Sequence, residues 1–126
     1  PKYAGSNLTK SDRLMIFNEI EKVTLDKKLY TISKLTIKKL SDELDYNANQ
    51  ISESINDNVG CNFNDYINLK RIEAFLTKIQ NKEHVDKTLL ALAFECGFNS
   101  KSSFNRAFKK IHNQSPSQYI RSQNVI

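Results

Sequence analysis

One stretch of this chain occurs twice in outline, and that limits its folds more than any other feature. Leu40-Ser41-Asp42-Glu43-Leu44-Asp45-Tyr46 is followed, 52 residues later, by Leu92-Ala93-Phe94-Glu95-Cys96-Gly97-Phe98. Each stretch reads as a short helix, a turn ending in an aromatic residue, and then a capped helix. The second turn is one residue longer. Two helix-turn-helix units are therefore expected, and no strand-like alternation competes with them. With 3 Gly and 2 Pro in 126 residues the chain is poor in tight-turn residues, which favours helices joined by short connections. Its 39% hydrophobic content is enough for a core.

The remaining sequence fits around this repeat as an all-α protein of about seven helices. Residues 1–10 read as a tether. Residues 11–34 read as an N-terminal helix and connection. Its apolar residues Leu14, Phe17, Ile20 and Val23 lie three apart, and Leu29 and Tyr30 anchor the connection. Residues 35–61 form the first helix-turn-helix: Thr36 caps a helix that turns Ile37, Leu40 and Leu44 inward, and Asn47 caps another with Ile51 and Ile55 at i, i+4. Gly60 suits a helix stop. Asn62 with Asp65 resembles a capping box opening a long helix over 62–80.

Residues 81–126 hold the second unit and a C-terminal helix. Thr88 caps its first helix, and Gly97 supplies the left-handed residue of the turn. Ser100 caps a helix over 101–112 with Phe104 and Phe108 inward, and Asn113 stands as its left-handed stop. Ser115-Pro116-Ser117-Gln118 combines an N-cap, Pro at the first helical position and Gln three after the cap.

Charge is uneven along the chain. The net charge is +5. Residues 70–126 carry ten Lys/Arg against four Asp/Glu, and residues 1–69 carry nine against ten. A basic C-terminal part points to an anionic partner. Several function classes lack their residues. There is no Ser/His/Asp order, paired-acid motif, Gly-rich phosphate loop or metal-ligand cluster, so neither enzyme chemistry nor a cofactor or metal is expected. Cys61 and Cys96 lack CxxC spacing and read as reduced thiols of a cytoplasmic protein. No run is long and apolar enough to span a bilayer, and no secretory signal is visible. A start at Pro1 rather than Met predicts a fragment of a longer chain.

Residues 101–110, Lys-Ser-Ser-Phe-Asn-Arg-Ala-Phe-Lys-Lys, concentrate the functional signal. With Phe104, Ala107 and Phe108 inward, Lys101, Ser102, Asn105, Arg106 and Lys109 face out. That face offers polar donors and positive charge and no acid. Arg bonds guanine O6 and N7 in a fork, and Asn bonds adenine N6 and N7. A capped helix presenting these groups after a tight turn suits the DNA major groove, although a plain solvated helix could carry the same residues. The helix at 62–80 would be roughly 28 Å long at about 1.5 Å per residue, near the ~34 Å between successive major-groove faces. A core helix would satisfy its apolar stripe equally well.

Taken together, Arg71-Ile72, Thr88 through Lys110, and Ser115-Pro116-Ser117-Gln118-Tyr119 closely resemble the AraC/XylS family of transcription regulators. Leu35 to Leu40, Ile51-Ser52, Ile55-Asn56 and Asn62 to Asn68 fit the same pattern in the first half. The resemblance covers about residues 29–121. It implies the C-terminal DNA-binding domain of a bacterial transcription activator, with two helix-turn-helix units joined by a long helix and a recognition helix in each of two adjacent major grooves.

The implied base-contact candidates are Asn49, Ser52 and Glu53 in the first unit, and Lys101, Ser102, Asn105 and Arg106 in the second. Asn47, Ser100, Ser103, Lys109 and Lys110 are implied as caps or phosphate contacts. The implied partners are double-stranded DNA and RNA polymerase, along with an upstream sensory or dimerisation region of the kind family members often carry, in some cases membrane-anchored. The chain departs from the family pattern at Asn113, where Gly is usual, at Ser41 for Ala, at Asp45 for Gly and at Glu53 for Arg. The rival reading is a helical protein-interaction module without DNA binding. RNA binding lacks the exposed aromatic platform that single strands use.

Overall fold

In a computed structural model of the protein, residues 7–123 are described. They form seven α-helices: α1 (Lys10–Asp26), α2 (Ile37–Leu44), α3 (Ala48–Val59), α4 (Phe63–Gln80), α5 (Leu89–Glu95), α6 (Lys101–His112) and α7 (Pro116–Ser122). Short 3-10 turns lie at Leu29–Thr31 and Glu83–Val85, and the described residues contain no strand. The all-α architecture expected from the sequence is thus the one adopted. The chain divides into two compact units, Pro1–Tyr66 and Ile67–Ile126, with α4 beginning in the first and continuing in the second. Of the segment read as a tether, residues 1–6 lie outside the described residues. Leu8 is buried and Thr9 caps α1.

In the first unit, helix starts follow side-chain caps. Thr9, Thr36 and Asn47 each accept a hydrogen bond from the backbone N–H three residues on, satisfying a donor that has no partner inside the helix. The core gathers Ile16, Ile20, Leu29, Leu40, Tyr46, Ile51, Ile55 and Tyr66. Phe17 meets Tyr66 edge to face at 5.8 Å.

The expected inward stripe of α1 needs correction. Leu14 is 50% exposed, whereas Ile16, Ile20 and Thr24 are fully buried. Residues three apart rotate backwards by about 60° per step, so Leu14 and Val23 end up about 180° apart around the helix. The i, i+4 series 16, 20, 24 drifts far less and takes the inner face.

The second unit is built on aromatics. Phe75, Phe98, Phe104 and Phe108 are buried with Ile72, Ile79, Leu92, Ala93, Cys96 and Ile120. Phe104 lies 4.9 Å from Phe75, 5.4 Å from Phe98 and 6.0 Å from Phe108 between ring centroids. Such pairs each add about 0.5–1.5 kcal/mol beyond area burial. They fix α6 by its inner face, which leaves its outer face free.

Candidate nucleic-acid interface

Two helices present the sequence-selected residues, and each is delimited by local chemistry. α3 opens on a full capping box: Asn47 Oδ1 accepts from Gln50 N at 2.8 Å, and Gln50 Oε1 accepts from Asn47 N at 3.0 Å. It closes on Gly60, whose φ of 69° is the left-handed conformation. Ile51 and Ile55 turn inward, as do Gln50 and Ser54, and the Ser54 hydroxyl donates to the Gln50 carbonyl at 2.7 Å. Asn49, Ser52 and Glu53 are left on the exposed side with Asn56 and Asp57.

The turn before α3 shows how the chain does without glycine there. Asp45 takes a left-handed φ of 60°, and the Ser41 hydroxyl donates to the Tyr46 carbonyl across the turn. The Tyr46 ring is buried, with its hydroxyl donating to Glu19.

α6 opens on Ser100. Its Oγ accepts from Ser103 N at 3.1 Å and donates to Ser103 Oγ at 2.8 Å, so both hydroxyls belong to the cap. Gly97 at φ 111° makes the preceding turn, and Asn113 at φ 60° ends the helix in the place expected. With Phe104, Ala107 and Phe108 buried, Lys101, Ser102, Asn105, Arg106, Lys109 and Lys110 are exposed. α6 contains no Asp or Glu.

The other cations of this unit are differently placed. Lys78 and Lys87 hold Glu95 at 3.1 and 3.0 Å and also face Glu83. Hydrogen bonds from Lys87 and then Lys78 keep the Glu95 carboxyl below the usual carboxylate range. Lys70 lies 3.4 Å from Glu73. Among the described residues, no ion pair engages Lys101, Arg106 or Lys109. α6 therefore carries Lys101, Arg106 and Lys109 as an exposed positive face, and Lys82 and Arg121 are exposed cations of this unit outside it.

Two features went unnoticed in the sequence. Arg71, marked there only as part of a family pattern, donates to Asn68 Oδ1 at 3.1 Å and lies over the Phe98 ring at 5.7 Å. It braces the turn that leads into α6. Arg13, on α1, meets two carboxylates of α3: its Nε is 3.2 Å from Asp57 Oδ2 and its Nη1 is 3.5 Å from Glu53 Oε1. A pairing across 40 residues leaves no local pattern to read. Cys61 and Cys96 are free thiols, and burial pushes the Cys96 thiol up to about 11, far from a reactive thiolate.

Two exposed, rigidly capped helix faces, each following a tight turn, have the form of a groove-reading element. A family model described as a helix-turn-helix domain matches residues 40–122. The chain belongs to the AraC-type helix-turn-helix family. That family is one of DNA-binding, transcription-regulating domains and is not an enzyme family.

An uncharacterized HTH-type transcriptional regulator of Staphylococcus aureus (strain COL) is 29% identical over 85 residues, covering 68% of this chain and 11% of that protein. The chain thus matches about a tenth of the length of that relative. The probable transcription factor PqrA of Proteus vulgaris is 26% identical over 104 residues, covering 82% of each. Among solved structures, the C-terminal domain of the two-component response regulator yesN from Fusobacterium nucleatum superposes with a TM-score of 0.61 at 30% identity, covering 83% of this chain and 93% of that one. A Listeria innocua protein of unknown function shares the fold, with a TM-score of 0.66 at 21% identity over 85% of this chain and 95% of its own. Among the described residues of this AraC-type domain, no helix is long and apolar enough to cross a membrane.

Proposed function

We propose that the chain binds double-stranded DNA sequence-specifically through α3 and α6, laid in adjacent major grooves, and activates transcription from the site it occupies. The observation that carries this reading is the outer face of α6. It is capped at Ser100, free of acids, and presents Lys101, Ser102, Asn105 and Arg106 side by side. On it Arg106 would fork onto guanine and Asn105 onto adenine, with Lys109 and Lys110 on flanking phosphates. On α3, Asn49 and Ser52 would offer hydrogen bonds to base edges, with Glu53 beside them on the flank that faces Arg13. Asn47, Ser100 and Ser103 would hold the helix starts from which these groups project.

The division of the chain into one such helix per unit supports two contacts, and their placement in adjacent grooves follows from the family resemblance. The activator role, work in the cytoplasm, contact with RNA polymerase and an upstream sensory or dimerising region follow from the family resemblance and complete the proposal.

The test is selection from a randomised duplex library at fixed salt, followed by footprinting on the selected sequence. Two protected segments about one helical turn apart on one DNA face are expected. No sequence enrichment, or binding without salt dependence, would favour a protein-interaction module instead.

A further inference from the structure

We infer that Arg13 is a positioning residue for α3, holding Glu53 and Asp57 against the flank of the helix so that their charge does not face the phosphates. The inference rests on the reading of α3 as a groove-facing helix. Glu53 and Asp57 are one helical turn apart on the exposed side of α3. They are the acids on a helix expected to approach a polyanion. Arg13 reaches both, with Nε 3.2 Å from Asp57 Oδ2 and Nη1 3.5 Å from Glu53 Oε1.

The guanidinium is itself anchored, since Nη1 also donates to the Leu8 carbonyl at 2.7 Å. The Arg13 backbone is tied to the same helix, its carbonyl accepting from Asn58 Nδ2 at 3.3 Å while that amide also donates to the Ser54 carbonyl at 2.8 Å. The side chain is 21% exposed against 48% for Glu53, so the cation is the fixed partner and the carboxylate the movable one. A shallow groove of about 450 Å³ runs along this flank, lined by Arg13, Ser52, Glu53, Asn56, Asp57 and Asn62. The forked, planar guanidinium suits the task, because Nη1 bonds the Leu8 carbonyl and Glu53 while its Nε edge lies at ion-pair distance from Asp57, and a lysine ammonium has no such extended fork.

This arrangement makes the pair non-additive in DNA binding. With Glu53 removed, Arg13 stays where it is, held by the Leu8 carbonyl and Asp57. With Arg13 removed, the Glu53 carboxylate is free to swing toward the DNA, where like charges repel. Arg13 lies on α1, outside residues 40–122, the part matched by the family model.

The test is a cycle of four proteins, wild type, Arg13→Gln, Glu53→Gln and the double variant. Anisotropy measures each on the selected duplex and on single-base variants of it, and thermal melts report folding. Arg13→Gln should weaken binding about five- to tenfold on every sequence, the scale of about one kcal/mol of lost screening. Glu53→Gln should change binding less than about twofold when Arg13 is present and restore about threefold or more when it is absent.

An equal effect of Glu53→Gln in both backgrounds overturns the inference. So does an Arg13→Gln variant whose melting point falls while its binding does not. If Arg13→Gln fails to fold, Glu53→Asp serves instead. It keeps the charge at an exposed position and withdraws it from a contact already 3.5 Å long. Weaker binding by Glu53→Asp is then expected, and unchanged binding overturns the inference. If Arg106→Ala weakens binding while the cycle is additive, only the role of Arg13 falls. If the wild type selects no duplex, the DNA reading falls and this inference with it.

Discussion

α3 and α6 share one scaffold and carry opposite surfaces. Each is 12 residues long, each opens on a side-chain cap and each ends on a left-handed residue, Gly60 or Asn113. Each buries an apolar pair at i, i+4, Ile51 with Ile55 and Phe104 with Phe108. Outward they diverge. α6 presents Lys101, Arg106, Lys109 and Lys110 with no acid, whereas α3 carries Glu53 and Asp57 with no cation of its own. The first unit answers this with Arg13 from α1. The comparison shows that caps and burial decide where a helix lies, while its outer face is free to vary. Two equal scaffolds need not contribute equally to binding.

The scaffold half of the comparison breaks most severely at Phe108, whose ring meets Phe75, Phe104 and Tyr119. Phe108→Ala should destabilise the protein by about 3–5 kcal/mol in denaturant titration, through lost transfer energy and the cavity left behind. A cost below about 1 kcal/mol would mean that the aromatic cluster does not hold α6.

Next in size is the charge half. Replacing Lys109 and Lys110 together by Ala should weaken binding to all sequences and flatten the salt dependence by roughly one to two units. Replacing Asn49 and Ser52 on α3 should leave that slope unchanged. Equal slopes for the two pairs would erase the difference between the faces.

A smaller effect sharpens the contrast between buried hydroxyls. Ser54 Oγ donates to the Gln50 carbonyl, whereas Thr24 Oγ1 is fully buried with no hydrogen-bond partner among the described residues. Thr24→Val exchanges that hydroxyl for a methyl group of similar size and should raise stability by about 1 kcal/mol, read as a higher melting point. A lower melting point would show that the hydroxyl is satisfied.

The smallest effect concerns His112, packed 4.9 Å from Phe108 and 4.5 Å from Tyr119 between ring centroids. Desolvation lowers its pKa from the ordinary 6.5. The folded state therefore binds this proton less readily than the unfolded one. Stability is full above about pH 6.5 and is lost as pH falls through that value toward the lower folded pKa. His112→Phe should remove that part of the pH dependence, so its stability should fall less between pH 7.5 and 5.5 than the wild type's.

Most of the fold was legible because its determinants are local. A cap speaks to a backbone N–H three residues away, so Thr36, Asn47, Thr88, Ser100 and Ser115 could be read in place. Gly97 and Asn113 carry their backbone conformation in their identity. The exposure of Lys101, Ser102, Asn105 and Arg106 followed from the burial of Phe104 and Phe108. α1 was less legible, since Leu14, Ile16, Phe17, Ile20 and Val23 allow more than one inner face, and only packing selects Ile16 and Ile20. The left-handed residues Lys28 and Lys82 gave no signal, because lysine has no preference for that conformation. Arg13 on Glu53 and Arg71 on Phe98 are contacts between distant segments, invisible until the helices are placed.

The central claim is that α6 carries more of the recognition than α3, and a pair of substitutions tests it directly. Arg106→Ala and Glu53→Ala are to be titrated on the selected duplex and on its single-base variants at one salt concentration. Arg106→Ala should cost about 1–3 kcal/mol on the selected site and relax preference at one base pair. Glu53→Ala should leave affinity level or raise it, because the lost charge is one that Arg13 already holds aside. If Glu53→Ala weakens binding to the selected site as much as Arg106→Ala does, the unequal division between the two helices is wrong.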